Sequence, residues 1–470
     1  MTTTTTNAFG RQRRLREFGL GVHAIVVIIS AYILLALANR TDLPPDLPVI
    51  LGGMIGLYIA AHMAIRRFAP MAAPTFLPIV AMLNGIGFVV ISRLDHALAH
   101  KPRHEDLARP QAIWTAIGVA AFIATLMFVR DIRAIARYRF TCALGGVALL
   151  LLPLAPSPIG KTINGARIWA AFGPVSFQPG EIAKVLLTAF FASYLADTRG
   201  LLTRGTKRIG RIRVLDPRHV APLVAFWILA IMVLVFEKDL GSSLLQFCVF
   251  ISLLYAATNR LIFVTTGFGL FALGAFAAHE MFGHVQVRVS AWLNPWPVGV
   301  RDDAGFQVIQ SWYALGSGGF SGRGLGLGSP DKVPVAVSDF IIAAIGEELG
   351  LLGTVGVIML ILLLVGSGLR VAIDNTDEFT KLFVLGLTVI LGVQTFVIVG
   401  GVTRLIPSTG VTLPFVSYGG SSLVANFVII ALLVRASDAS ARSLHGLTGR
   451  RSTGRRGTGR AAASMATVSQ

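Results

Sequence analysis

The chain has 470 residues, 54% of them hydrophobic and 14% charged, with a mean hydropathy of +0.72. A soluble protein of this size carries roughly 25% charged residues, so a soluble globular fold is excluded. The formal net charge of +18 does not point to nucleic acid, because the basic residues fall in short clusters between apolar runs and not on one face.

Residues 1–18 read as a basic cytoplasmic arm. Twelve apolar runs follow, near 19–39, 48–65, 74–92, 110–129, 138–156, 179–197, 219–236, 240–258, 261–280, 340–370, 378–401 and 416–436. Most approach the twenty or so residues that cross about 30 Å of hydrocarbon. They predict an all-α, polytopic helical membrane protein of about 12 transmembrane helices, with a long extracellular loop over 281–339. The first run is too long for a signal-peptide core and lacks a small-residue cleavage site, so it is read as retained. Gly346, Gly350 and Gly353 around Glu347 and Glu348 predict a break in the tenth span, with the membrane helix starting near Leu349. From 438 to 470 the chain is mostly Gly, Ser, Thr, Ala and Arg, too polar for a core, and is expected to be a disordered basic cytoplasmic tail near anionic headgroups.

Twelve spans place both ends on one side. The clusters Arg11–Arg16, Arg66–Arg67, Arg130–Arg139, Arg199–Arg218 and the tail from Arg435 fall on that side, which holds about twice the Lys and Arg of the other. Both termini are therefore expected to be cytoplasmic. Four polar stretches lie on the opposite, outward side. They are 164–184, Glu237–Ser243, the long loop with its continuation through Ser338-Asp339 and Glu347-Glu348, and Arg404–Ser422. Polar groups at membrane depth cost several kcal/mol unless they line a cavity or are buried in protein, so one outward-facing polar cleft is predicted.

Within it, Pro179 suits a helix first turn, Glu181 suits that N-terminus, and Lys184 lies one turn deeper on the same face. Two readings stay open there: a self-neutralising pair, or a cationic site for an anionic ligand. Glu237–Ser243 reads equally as a solvated turn. Cys142 and Cys248 each sit inside a span and support neither a disulfide framework nor a metal site. The run Gly322–Gly328 lacks a preceding strand and dinucleotide spacing, no Walker-type phosphate loop exists, and His279 and His284 are five apart, too far round a helix for shared zinc.

Several motifs carry a resemblance. NGARIW and FQPGEIAK within 164–184, KDLGSS (238–243), SDFIIAAIGEELG (338–350) and IPSTGVTLPFVSYGGSS (406–422) resemble the SEDS family, the RodA/FtsW/SpoVE proteins of bacterial envelope synthesis. The likeness covers roughly 74–437 and is greater to the RodA branch. Family members usually have ten spans, so the two helices within 19–73 look like an N-terminal addition. The resemblance implies a peptidoglycan glycosyltransferase that polymerises lipid II into β-1,4 glycan strands on the outer face of the cytoplasmic membrane, for cell elongation and shape or for division. It implies lipid II as donor and acceptor, a class B penicillin-binding protein as partner, and a groove between spans for the undecaprenyl tail.

The cations available for the diphosphate are Arg167, Lys184, Lys238 and Arg404. Asp239, Gln307, Glu347 and Ser417, which lie in or beside the matched motifs, complete the candidate substrate-binding set. The family's essential aspartate lies between an Asn/Asp-Pro-aromatic motif and a Gly-aromatic-Gln motif. Here Asn294-Pro295-Trp296 and Gly305-Phe306-Gln307 supply both flanks, but the usual aspartate position is Val298. The base role is therefore carried to Asp302 first and Asp303 second. Gly180 and Lys238 also depart from the family's usual Ser and Pro. The lipid-linked donor calls for no nucleotide-sugar fold, and the charge mixture is compatible with a divalent cation, Mg2+ or Mn2+, between a carboxylate and the diphosphate. A lipid II transporter and a non-catalytic scaffold of the synthase complex are the alternatives. The first would call for midplane polarity and a repeat, which are not found, and the displaced aspartate favours the second.

Overall fold

The computed structural model describes residues 2–39, 47–99, 106–163, 166–173, 175–204, 207–209, 212–214 and 217–466. Each expected span lies on a helix. The first four are α1 (Thr2–Asn39), α2 (Leu47–Phe68), α3 (Phe76–Leu98) and α4 (Ala108–Phe128). A four-residue helix α5 (Arg133–Ala136) leads into α6 (Arg139–Leu151). Next come strands β1 (Gly160–Ile163), β2 (Ala166–Phe172) and β3 (Val175–Phe177), then α7 (Gly180–Arg204). A two-stranded ribbon, β4 (Lys207–Ile209) and β5 (Ile212–Val214), precedes α8 (Pro217–Phe236), α9 (Leu240–Thr258) and α10 (Leu261–Met281). The long loop holds α11 (Gly283–Leu293), α12 (Val298–Arg301) and α13 (Phe306–Gly318), and the last spans are α14 (Ile341–Asp374), α15 (Glu378–Val402) and α16 (Gly420–Ala466).

Among the described residues nine helices are long and apolar enough to cross a membrane. The other three expected spans are marginal for physical reasons. The apolar parts of α6 and α8 are short, and α7 carries Glu181, Lys184, Asp197 and Arg199. The protein is a multi-pass helical membrane protein.

The small antiparallel sheet β1-β2-β3 pairs Lys161 with Trp169 and Ala171 with Ser176, and it was not expected from an all-helical reading. The segment is too short to span, and its Ile168, Trp169, Val175 and Phe177 favour a pleated surface between Pro and Gly punctuation. Three further expectations change. The long loop is built from short helices. The arm over 1–18 belongs to α1, because Arg13 and Arg14 donate to the Met71 and Ala72 carbonyls. Packing continues just past Ser437, because Asp438 accepts from the Met71 amide at 2.8 Å, and α16 is drawn as helix to Ala466. The expected break in the tenth span is present: Gly350 sits at φ 68° inside α14, in a region that side chains with a Cβ avoid.

Two faces organise the bundle. The tail face carries 69–75, 129–138, 259–260, 375–377 and 437–442; the loop face carries 152–163, 166–173, 175–179, 237–239, 282–340 and 403–419. Between helices in a membrane, packing and hydrogen bonds replace the hydrophobic effect. Buried Tyr58 donates to Asn84 Oδ1 at 2.9 Å, joining α2 to α3. Arg435 on α16 donates to the carbonyls of Phe68, Leu126 and Val129 (2.7 Å for the last), satisfying the open C-terminal ends of α2 and α4. α10 is the peripheral helix. It has no buried residue and meets α9 through the stacked Phe247 and Phe271 rings, 4.2 Å apart.

Candidate active site

At the loop face the four polar stretches are brought together. The start of α7 is tied to α16 by the Gln178 amide, which donates to Ser421 Oγ at 2.9 Å. On the next turn Lys184 donates to Glu181, and both side chains are buried. Asn164 and Gly165 lie outside the described residues, but β2 places the Arg167 amide 3.2 Å from the Glu237 carbonyl. The Arg167 guanidinium donates to Pro153 and Ala155 carbonyls at 3.0 and 2.8 Å, so it fastens the sheet to the end of α6.

The turn 237–239 is tight. Lys238 adopts φ 64°, a conformation that costs a side-chain-bearing residue strain, and its side chain is exposed. Asp239 caps α9, with Oδ1 accepting from the Ser242 amide at 2.9 Å and Oδ2 from its hydroxyl at 2.6 Å. Gly241 makes this packing possible, since a Cβ there would lie 3.0 Å from the Thr409 carbonyl and 2.3 Å from Val411. Opposite, Arg288 on α11 donates to the Ser408 carbonyl at 3.2 Å. Asp339 lies against Gly410, and Ser417 closes the ring by donating to the Ser338 carbonyl at 2.6 Å.

Crowding of carboxylates in this recess shifts their acidity. Burial, reinforced by the Asp239 charge, pushes Glu237 up to about 9, and its Oε1 has no hydrogen-bond partner. Burial also raises Asp239 despite its bonds to Ser242, with Glu181 raising it further and Arg288 opposing. Asp339 is pushed up to about 6, chiefly by burial, against the pull of Arg288. His284 is lowered by burial and by the charges of Lys238 and Arg288. The recess thus holds the cations Lys184, Lys238 and Arg288 among acids that part reluctantly with their protons. Such perturbed clusters in clefts mark functional sites.

Not every expected residue joins it. Asp302 and Asp303 are exposed on the turn between α12 and α13, where Asp302 pairs with Arg301 at 3.0 Å. Gln307 is half-buried on the first turn of α13. Arg404 donates to the Trp292 and Leu293 carbonyls and lies 5.3 Å over the Trp312 ring, so it anchors the long loop to the end of α15. Ser417 is buried in main-chain contacts, also accepting from the Leu413 amide at 2.9 Å. Glu347 accepts from the Ser329 amide at 2.9 Å beside Arg323. With Glu348, which pairs with Arg93 at 2.9 Å, it folds the glycine run onto α14. Conversely Arg288 and Glu237 join the recess without having been singled out as site residues, and Asp339, by sequence only a fallback base beside Glu347, joins it too. Their signal was placement in the same-side polar stretches.

A bundle of membrane helices whose discontinuous ends surround a mixed-charge recess defines the class: a polytopic membrane protein with a charged site at one end of the bundle. Comparison with known proteins gives the family. The cell cycle protein family of FtsW, RodA and SpoVE matches residues 74–442. The chain is 44% identical over 434 residues, 92% of either chain, to the peptidoglycan glycosyltransferase RodA of Mycobacterium tuberculosis H37Rv. It is 34% identical over 362 residues, 76% of this chain and 92% of the relative, to a probable peptidoglycan glycosyltransferase FtsW of Geobacter metallireducens. In fold it is similar to a chain of a peptidoglycan synthase complex (TM-score 0.63, 24% identity, 78% of this chain and 98% of that one). It is also similar to the Rod shape determining protein RodA of Thermus thermophilus (TM-score 0.54, 23% identity, 78% and 96%). The chain belongs to the FtsW/RodA/SpoVE family.

Proposed function

We propose that this chain polymerises lipid II into β-1,4 glycan strands at the outer face of the cytoplasmic membrane and releases undecaprenyl diphosphate. It is a peptidoglycan glycosyltransferase, with both termini cytoplasmic and the loop face outward, as the Lys and Arg distribution supports. The observation that carries the reading is the convergence of Lys184, Lys238 and Arg288 with Asp239 and Asp339 at one end of the bundle.

In the reaction the 4-hydroxyl of a GlcNAc unit attacks the anomeric carbon of a MurNAc unit. The bond from that carbon to the diphosphate oxygen breaks with inversion. The electron pair leaves on the diphosphate, and the hydroxyl proton passes to a carboxylate. Fixed cations around the departing diphosphate oppose its growing negative charge where water is excluded. Lys184 and Arg288 are placed for this, Lys184 already fixed by Glu181 and Arg288 by the Ser408 carbonyl. Asp302 first, and Asp303 second, take the base role, since both are exposed on the turn that the flanking motifs bracket. A second reading gives it to Asp339, whose acidity near pH 6 suits a base at neutral pH and which sits beside Arg288.

Among the described residues no three His, Cys, Asp or Glu side chains gather into a metal cage. Mg2+ or Mn2+ would instead be held by one or two carboxylates with substrate phosphates, Asp239 and Asp339 being the pair at hand. A class B penicillin-binding protein would crosslink the strands, serving elongation and shape or division. The test is polymerisation of purified lipid II by the protein reconstituted with that partner. Asp302→Ala, Asp303→Ala and Asp339→Ala are compared by strand length on a gel. Loss of strands in one variant alone identifies the base. No strands from the unaltered protein would sink the reading in favour of transport or scaffolding.

A further inference from the structure

A cavity of about 850 Å³ lies far from the recess, at the tail-face end of α1, α2 and α3. α1 packs along α3 and α2 along α4, while α1 and α2 touch at few points. One of these is Glu17, which accepts from or donates to His62 Nδ1 at 2.6 Å according to protonation. A groove therefore stays open between α1 and α2, floored by Leu77, Pro78 and Ala81 of α3. The family match begins at residue 74, so two of its three walls are outside the family core.

The two ends of this groove differ in chemistry. Along the helices the walls are Phe18, Ile59 and Met63, all more than half exposed. Exposed apolar side chains on membrane helices face lipid and need no special occupant. The end at the tail face does need one. Arg11, Arg14, Arg66 and Arg442 surround it, against the two carboxylates Glu17 and Asp438 nearby. Asp438 is already engaged by Arg442 at 2.8 Å and by the Met71 amide, and Glu17 is held between Arg14 and His62. Arg11 and Arg66 have no acidic partner among the described residues. Arg14 is only 5% exposed, and its Nε lacks a hydrogen-bond partner although its other two nitrogens are bonded.

We propose that this groove is a binding site for an anionic phospholipid, with its phosphate among Arg11, Arg14 and Arg66 and an acyl chain along Phe18, Ile59 and Met63. Basic pockets between membrane helices select anionic headgroups in this way, and each arginine near the surface is worth about 1 kcal/mol. A soluble anion would match the cationic end but leave the apolar trough unused. A zwitterionic lipid would fill the trough but bring a choline ammonium to the arginines.

The full chain, purified and stripped of lipid, is titrated with phosphatidylglycerol or with phosphatidylcholine of the same acyl chains, and bound lipid is counted by native mass spectrometry. The unaltered protein is expected to prefer phosphatidylglycerol. Arg11→Gln with Arg66→Gln should weaken that binding about 30-fold. Ile59→Trp, which narrows the trough without altering charge, should weaken it as well and carries the test if the arginine pair fails to fold. Equal binding of the two lipids, unchanged phosphatidylglycerol binding in Ile59→Trp or in a folded arginine pair, or displacement of the lipid by inorganic phosphate alone would overturn the proposal.

Discussion

Away from the arginine groove between α1 and α2, the two faces of one bundle treat charge in opposite ways. At the tail face Arg435 is spent on three carbonyls, Asp438 on Arg442 and the Met71 amide, and Ser437 accepts from the Ala73 amide. The one side-chain-bearing residue with positive φ there, among the described residues, is Asn259, which tolerates the left-handed region. At the loop face Lys238, Val335, Arg404 and Phe415 all take positive φ, Glu237 has an unpartnered oxygen, and burial raises Asp239 and Asp339 above the usual carboxylate range. Backbone strain persists only where surrounding structure imposes it, and it gathers at functional sites. The tail face holds the bundle together; the loop face is held by it.

Substitutions should separate these roles. The largest stability loss is expected from Arg435→Ala, which strands the carbonyl ends of α2 and α4 in a buried site, at about 3 kcal/mol in thermal or denaturant unfolding. Gly350→Ala comes next, at about 2 kcal/mol, because alanine is strained at its φ and its Cβ would lie 2.2 Å from the Gly322 amide.

Asp339→Asn should behave oppositely. The folded-state acidity of Asp339 is raised to about 6 from a usual 3.8, so folded protein holds the extra proton between those values. Its contribution to stability is therefore present below about pH 4 and is lost as pH rises to about 6. Removing the ionisation should leave the variant at least as stable as the parent at pH 7 by melting, while lipid II polymerisation falls if Asp339 is the base. In that case the parent's rate should also rise with pH through about 6. The smallest effect is expected from Glu237→Gln. At neutral pH Glu237 is protonated, with an acidity near 9, so the amide replaces a neutral acid. The variant should match the parent below about pH 4. It should flatten the decline in melting temperature that the parent shows as pH rises from about 4.5 to about 9, the window between the unfolded and folded acidities of Glu237.

Much of this was legible in the residues. Apolar length marked each helix, the glycines around Glu347 and Glu348 marked the break at Gly350, and same-side polarity marked the recess. What stayed hidden depended on side-chain direction and local pairing. Arg404 reads as a free cation until Trp292 and Trp312 enclose it, and Ser417 as a ligand until the Ser338 carbonyl accepts its hydrogen bond. Glu347 lies in an acidic pair by sequence, but the Ser329 amide just past the glycine run claims it. Arg288 and Asp339, separated by 51 positions, become neighbours only through the fold of the long loop. The sheet at 160–177 escaped a periodicity tuned to membrane helices.

The claim that the loop-face charges hold the diphosphate is tested most directly by the affinity of the purified chain for undecaprenyl diphosphate, before and after Arg288→Gln. Loss of one charge-assisted contact of about 1.5–3 kcal/mol predicts a fall of roughly ten- to a hundred-fold with the melting temperature little changed. Unaltered affinity in a folded Arg288→Gln protein would contradict the account and move the diphosphate site away from this recess.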